Sequence, residues 1–244
     1  MSEKILMIET STECCSVALS EGDRIVAERV DETPKQQSAL LAPYIDAVLR
    51  EAGWQAADLA AVAVSEGPGS YTGLRVGVST AKGLCFGAGV PLLGIDTLQI
   101  LACQALTVIC SRWSQLSLCS GPGLTRDLDR IVAMLDARRM EVYAATFDGN
   151  GVKQGATEAV ILDENSYRQE LEEGSVLFIG TGIEKFQAIC PHPNAHFQPC
   201  FPQAAAMLQP ARAALQKKEF KDVAYFEPFY LKDFVAGVSK RSVL

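Results

Sequence analysis

Residues 59–65, LAAVAVS, form an unbroken apolar run that stops at a loop of Glu66, Gly67, Pro68, Gly69 and Ser70. A strand apolar on both faces is the kind that parallel sheets bury, with helices above and below. The stretch that follows, from about residue 72 to 86, reads as a helix although it contains Gly73, Gly77 and Gly83. Each interior glycine costs about 1 kcal/mol relative to alanine, so something must compensate. Gly73, Gly77, Thr80 and Leu84 share one stripe at helical spacing. A stripe so small lets another helix or strand approach closely. A chain built around this unit belongs to the α/β class.

The rest of the first half supports that class. Residues 4–9 (KILMIE) read as a buried strand, followed by a polar turn from Thr10 to Glu13. Residues 15–20 alternate, with Val17 and Leu19 on one face, and a hairpin turn at Glu21, Gly22 and Asp23 leads to a third strand over 24–30. Thr33 followed by Pro34 predicts a helix start. Leu40, Leu41, Tyr44, Ile45, Val48 and Leu49 then recur at helical spacing up to Gly53, and Pro43 inside predicts a kink. The stripe is wide enough to cover a sheet with one edge and leave the other for a partner. Residues 91–95 add a fifth short strand.

The second half echoes the first. Residues 131–136 (IVAMLD) form a strand ending in an acid, Ala137, Arg138 and Arg139 turn, and residues 141–147 (EVYAATF) return. A hairpin turn at Gly149, Asn150 and Gly151 follows. A polar helix over 164–172, a strand over 176–180, a short helix opened by Thr181 and Gly182, and a last helix over 203–218 complete the chain. In both halves a buried strand ends in an acid, Glu9 or Asp136, turns, and comes back. Two facing lobes are expected, 1–102 and 103–202, with the C-terminal part (203–244) packing back on the first. Residues 110–125 carry no assignable element, and their Gly121, Pro122 and Gly123 repeat the tripeptide at 67–69.

Charge and cysteines bound the function. Lys and Arg total 22 against 29 Asp and Glu, a net charge of −7. An acidic chain is a poor stand-alone nucleic-acid binder, so any RNA partner needs positive charge from another subunit. The eight cysteines include no C-x-x-C pair and sit in apolar contexts, as buried thiols do. No secretion-type apolar segment and no apolar run of about 20 residues is present, so a reduced cytoplasmic protein without a membrane span is expected.

Several constellations carry possible chemistry. The glycine loop at a helix N-terminus presents free N–H groups, a generic anion site. It lacks the lysine of a P-loop and the spacing of G-x-G-x-x-G. The alternative is a packing turn forced by close helix approach. Thr10, Ser11 and Thr12 either grip a phosphate or form a plain β-turn. Glu9 opposite Asp136 places two acids at facing strand ends, as the sugar-kinase and actin-like fold does to hold a magnesium nucleotide between its lobes. The candidate cleft is therefore Glu9, Thr10, Ser11, Gly67, Gly69, Ser70 and Asp136. Cys190, His192, His196 and Cys200 supply a zinc-type donor set, but their spacing fits no common finger and the intervening prolines suit a surface loop. With only these two histidines and no G-x-S-x-G, histidine-based catalysis has no frame.

ILMIETS at 5–11, CSVAL at 15–19, GPGSYTGLRVG at 67–77, KGL at 82–84 and DARRMEVY at 136–143 together resemble the TsaB (YeaZ) family of tRNA threonylcarbamoyladenosine biosynthesis. The likeness covers about residues 4–145, and Pro228, Tyr230, Leu231 and Lys232 resemble the family's usual terminus. It implies an actin-like (ASKHA) two-lobed fold, each lobe a mixed sheet with helices, without catalysis of its own. The resemblance implies a subunit that binds and activates TsaD, the metal- and nucleotide-binding catalytic relative, and forms a complex with TsaE. That complex moves a threonylcarbamoyl group onto the adenosine 3′ of the anticodon in tRNAs reading codons that begin with A. Pairing with TsaD through two first-lobe helices gives as interface candidates Leu41, Tyr44, Ile45 and Val48, then Leu74, Val78, Lys82 and Phe86. A homodimer through the same helices when alone, tRNA contact only through the partners, no cofactor of its own, and ATP or ADP at the complex interface follow from the same likeness. Two departures stand out. Glu9 occupies a position where the family usually has Asp, and the stretch near 103–107 has no histidine where TsaD carries H-x-x-x-H. Two other activities suit the fold: a small-molecule kinase or ATPase using Glu9, Asp136 and a pocket near Gly180, Thr181 and Gly182, or a metal-dependent glycoprotease-like enzyme.

Overall fold

The computed structural model describes residues 2–116 and 128–232, the side chains of 108–116 excepted. The first sheet holds β1 (Lys4–Glu9), β2 (Cys15–Glu21), β3 (Arg24–Asp31), β4 (Ala61–Gly67) and β5 (Leu92–Asp96) in the order β3-β2-β1-β4-β5. The three N-terminal strands pair antiparallel, and β4 and β5 run parallel to β1. β1 alternates: Leu6 and Ile8 face α1 (Gln37–Ala52) and α2 (Tyr71–Ala88), while Ile5 and Met7 face the opposite side. The apolar run at 59–65 is thus a strand buried on both faces, shifted two residues on because a 3-10 turn at Ala56–Asp58 precedes it.

α3 (Thr97–Leu116) leads to a second sheet of β6 (Leu128–Asp136), β7 (Glu141–Asp148), β8 (Lys153–Ile161), β9 (Ser175–Gly180) and β10 (Ala195–Pro199), in the order β10-β9-β6-β7-β8. β7 and β8 are antiparallel and β9 and β10 parallel to their neighbours. Numbered within each lobe, both sheets read 3-2-1-4-5, so the echo between the halves is a repeat of topology. Leu98, Leu101, Ala102 and Ala105 of α3 cover one face against Ile131, Ala133 and Phe147. α4 (Arg168–Glu173) and α5 (Ile183–Gln187) cover the other, with Leu171, Ile183 and Phe186 on Val132, Met134 and Phe178. A 3-10 turn at Ala204–Met207 and α6 (Leu208–Lys217) return to the open face of the first sheet and pack on Ile5, Met7, Ala63 and Leu93.

Several boundaries differ from expectation. α1 starts at Gln37 because Lys35 takes a left-handed φ of 64°, and the Thr33 N–H instead donates to Asp31 Oδ1 (2.8 Å). The helix runs unbroken through Pro43. The polar helix expected over 164–172 shrinks to α4, because Asp163 Oδ1 accepts from the Asn165 N–H (2.9 Å) and the Ser166 hydroxyl (2.9 Å) and holds a turn there. The boundary expected at 102/103 falls inside α3. That helix also takes residues 110–116 of the unassigned stretch, whereas the second glycine-proline-glycine at 121–123 lies outside the described residues. Among the described residues no helix is long and apolar enough to cross a membrane.

Candidate functional site

β1 ends at Glu9, and α2 begins directly over the turn that follows. A Cβ added to Gly69 would meet the Ser11 carbonyl, one on Gly73 the Thr10 carbonyl, and one on Gly77 the Thr10 hydroxyl, all inside the 3.0 Å that real Cβ atoms keep. The glycine stripe is therefore the close approach of a helix to the β1–β2 turn. Two hydrogen bonds tie the helix to the turn and a third caps the helix, while the buried Ser11 hydroxyl has no partner among the described residues. The Thr10 hydroxyl donates to the Gly73 carbonyl (2.8 Å), the Ser70 N–H to the Ser11 carbonyl (2.6 Å), and Ser70 Oγ accepts from the Gly73 N–H (3.3 Å). Thr10 and Ser11 are buried, so neither hydroxyl faces an incoming phosphate.

The two acids occupy unlike environments. Glu9 is wholly buried; its Oε1 accepts from the Ser11 N–H (2.6 Å), and Oε2 has no hydrogen-bond partner. Burial pushes the Glu9 carboxyl up to about 7, against smaller lowering by Ser11, Ser65 and the Thr10 backbone. Asp136 has a side chain 55% exposed, and its Oδ1 pairs with Lys185 Nζ (2.8 Å) and accepts from the Arg138 N–H (2.6 Å). Lys185 also donates to the carbonyls of Arg139 (2.9 Å) and Glu141 (2.5 Å), fixing the turn between β6 and β7. A magnesium nucleotide needs open oxygen ligands and a free anion cradle. One acid here is sealed, the other is neutralised by a lysine, and the residues do not fit the group. Near Gly182 a Cβ would strike Val142 and Leu135, so that glycine is packed against the sheet.

The zinc-type set does not assemble. Cys190 packs with the α4 and α5 face of the second sheet and Cys200 with the α3 face, on opposite sides of β6. His192 Nδ1 accepts from the Asn194 N–H (3.2 Å), and His196 lies in β10 opposite Leu177. Among the described residues no three His, Cys, Asp or Glu side chains converge to hold a metal. Cys14, Cys15 and Cys85 are buried thiols pushed up to about 12, 11 and 11 by desolvation, the state of inert cysteines.

Residues 219–232 form a strap that sequence reasoning noticed only as a terminal motif. The Lys221 N–H bonds the Leu92 carbonyl (2.9 Å) and its Nζ pairs with Glu66 Oε2 (2.6 Å). The Phe229 N–H donates to the Glu66 carbonyl (2.6 Å), and the Phe229 carbonyl presses on Gly67, whose φ is 117°. The Tyr230 ring lies 4.9 Å from that of Tyr71, and Lys232 pairs with Glu141. The outer side of the glycine loop is thus covered by the chain's own backbone.

The interface candidates divide. Leu41, Ile45, Val48, Leu74 and Val78 are buried within the first lobe. Tyr44 is half-buried, and Lys82 Nζ donates to the strap carbonyls of Ala224 (3.1 Å) and Phe226 (3.0 Å). Only Phe86, 85% exposed, points fully outward. The outward stripes are instead Thr72, Arg75, Ser79, Gly83 and Phe86 on α2 and Ala39, Ala42, Pro43 and Asp46 on α1. Phe86 lines a groove with Gly83, Asp222, Val223 and Ala224, and Tyr225 on the strap is 83% exposed.

Comparison with known proteins agrees with this architecture. Residues 30–240 match the family model described as TsaD, tRNA N6-adenosine threonylcarbamoyltransferase. The tRNA threonylcarbamoyladenosine biosynthesis protein TsaB of Escherichia coli is 31% identical, over 96% of this chain and 96% of that protein. Its namesake from Haemophilus influenzae is 28% identical over 95% and 94%. The solved structure of YeaZ from Pseudomonas aeruginosa superposes with a TM-score of 0.76 at 26% identity, covering 94% of this chain and all of the other. With two lobes of one topology, a glycine loop closed against the β1–β2 turn and end-to-end likeness to these relatives, the chain belongs to the TsaB family of tRNA threonylcarbamoyladenosine biosynthesis proteins.

Proposed function

We propose that this chain is a non-catalytic subunit that binds and activates TsaD in the complex that transfers threonylcarbamoyl to the adenosine 3′ of the anticodon, in tRNAs reading codons that begin with A. The observation that carries this reading is the contrast between two surfaces of one helix. The inner face of α2 closes the strand ends where a relative would do chemistry, while its outer face ends in Phe86, 85% exposed beside an apolar groove. An aromatic side chain left in water beside small residues suits a protein contact. The same face pairs two copies of this chain when TsaD is absent. TsaE joins through the complex, ATP or ADP enters only at the interface with TsaD, and the partners carry the tRNA, in keeping with the charge of −7. All of this is cytoplasmic work.

Phe86→Glu tests the reading, since the side chain already lies in water and the change leaves the core untouched. Co-elution with TsaD and self-association should both be lost while the isolated chain still unfolds cooperatively. In reconstitution with TsaD, TsaE and tRNA, modification should fall to the level seen without this chain. Co-elution and modification equal to wild type would refute the assignment of this face.

A further inference from the structure

We infer that residues 219–232 are a clasp that ties the glycine loop of the first lobe to the Asp136-to-Glu141 turn of the second and so holds the lobes at one setting. The inference does not rest on the partner reading. The segment is attached at three places along its length. At its start Lys221 extends the edge of β5 through the Leu92 carbonyl and pairs with Glu66. In its middle Phe229 bonds the Glu66 carbonyl and Tyr230 packs on Tyr71 at the first turn of α2. At its end Lys232 crosses to Glu141, whose carbonyl already receives Lys185, the lysine that holds Asp136.

The first lobe is shaped to receive this segment. A Cβ on Gly94 would lie 2.7 Å from Lys221 Cε and 3.1 Å from Phe226, and one on Gly67 would strike the Phe229 carbonyl. A tail lying loosely on a surface needs no such clearances. A lone exposed ion pair would be too weak to couple two lobes. Here the Phe229 backbone bond and the Tyr230 ring contact already position Lys232, so the pair forms without most of the ordering cost that weakens an exposed one. Asp96–Lys153 (2.5 Å) also bridges the lobes, from the end of β5 that lies beside Gly67, so the clasp adds to that restraint from the outer side of the loop.

Hydrogen–deuterium exchange on the full chain tests this, read at peptides spanning 136–143. Tyr230→Ala alters only the first-lobe end, yet should speed exchange in that second-lobe turn about threefold or more. Lys232→Met, at a side chain 48% exposed, should do the same, and Lys232→Arg should keep the wild-type rate. Faster exchange confined to 219–232, with 136–143 unchanged in both Tyr230→Ala and Lys232→Met, would make the segment a tail resting on one lobe and overturn the inference. Should Tyr230→Ala fail to fold, the two Lys232 variants decide alone.

Discussion

Single atoms explain why α2 tolerates its glycines. Gly73 and Gly77 are filled in from outside by Thr10, 63 residues away from Gly73 in the chain. Gly83 has nothing within 4 Å of where a Cβ would stand. Gly73→Ala should therefore cost about 3 kcal/mol or more, because a fixed backbone carbonyl must move. Gly83→Ala should gain about 0.5–1 kcal/mol through a less flexible unfolded chain. Urea denaturation midpoints at fixed slope separate the two outcomes. Glu9 supplies a second test. Its carboxyl titrates near 4.5 in the unfolded chain and near 7 when folded. Between those values the native state keeps a proton that the unfolded state has released. Stability attributable to this group is thus full below about pH 4.5, falls as pH rises through 7, and stays lost above, with an upper bound of roughly 3 kcal/mol. Glu9→Gln should gain on the wild type between pH 5 and pH 8; parallel stability curves would exclude the effect. The glycine spacing was legible in the sequence, but what filled it was not, since no local pattern points from residue 73 to residue 10.

At the scale of elements, helical spacing located α1 and α2 but could not orient them. Leu41, Ile45 and Val48 belong to the apolar stripe that periodicity detects on α1, and they face the helix's own sheet, as does Val78 on α2, a residue singled out only by the family likeness. The outward stripes are small and polar residues, with Arg75, Asp46 and Pro43 among them and one phenylalanine, which hydropathy ranks as unremarkable surface. Val78→Glu accordingly measures the core: at 3% exposure it buries an unpaired charge and should cost several kcal/mol, seen as loss of cooperative thermal unfolding. A fully folded Val78→Glu chain would contradict this orientation of α2. Helix ends were the least legible feature. Lys35 in a left-handed conformation and the Asp163 turn each delay a helix by several residues, and both depend on backbone angles that composition does not encode.

Over the whole molecule, two similarly built lobes were legible because each half repeats the same local signals of strand, acid, turn and returning strand; the 3-2-1-4-5 order, with β8 and β10 where the sequence showed no strand, was not. The residues of the implied cleft are each engaged within the chain. The strap covers the loop, α2 seals Glu9, and Lys185 holds Asp136. Calorimetry of the isolated chain with magnesium-ATP should show no binding in the micromolar range; saturable heat with turnover would restore the kinase reading. By itself the sequence determined two α/β lobes, the glycine loop and the family runs, because periodicity, turn chemistry and short motifs act between neighbours in the chain. Only the tertiary structure decided which acid is buried, which helical face looks outward, where the cysteines and histidines part, and what lies over the loop. Each of those depends on contacts between residues far apart in sequence, and such contacts exist only once the lobes have formed.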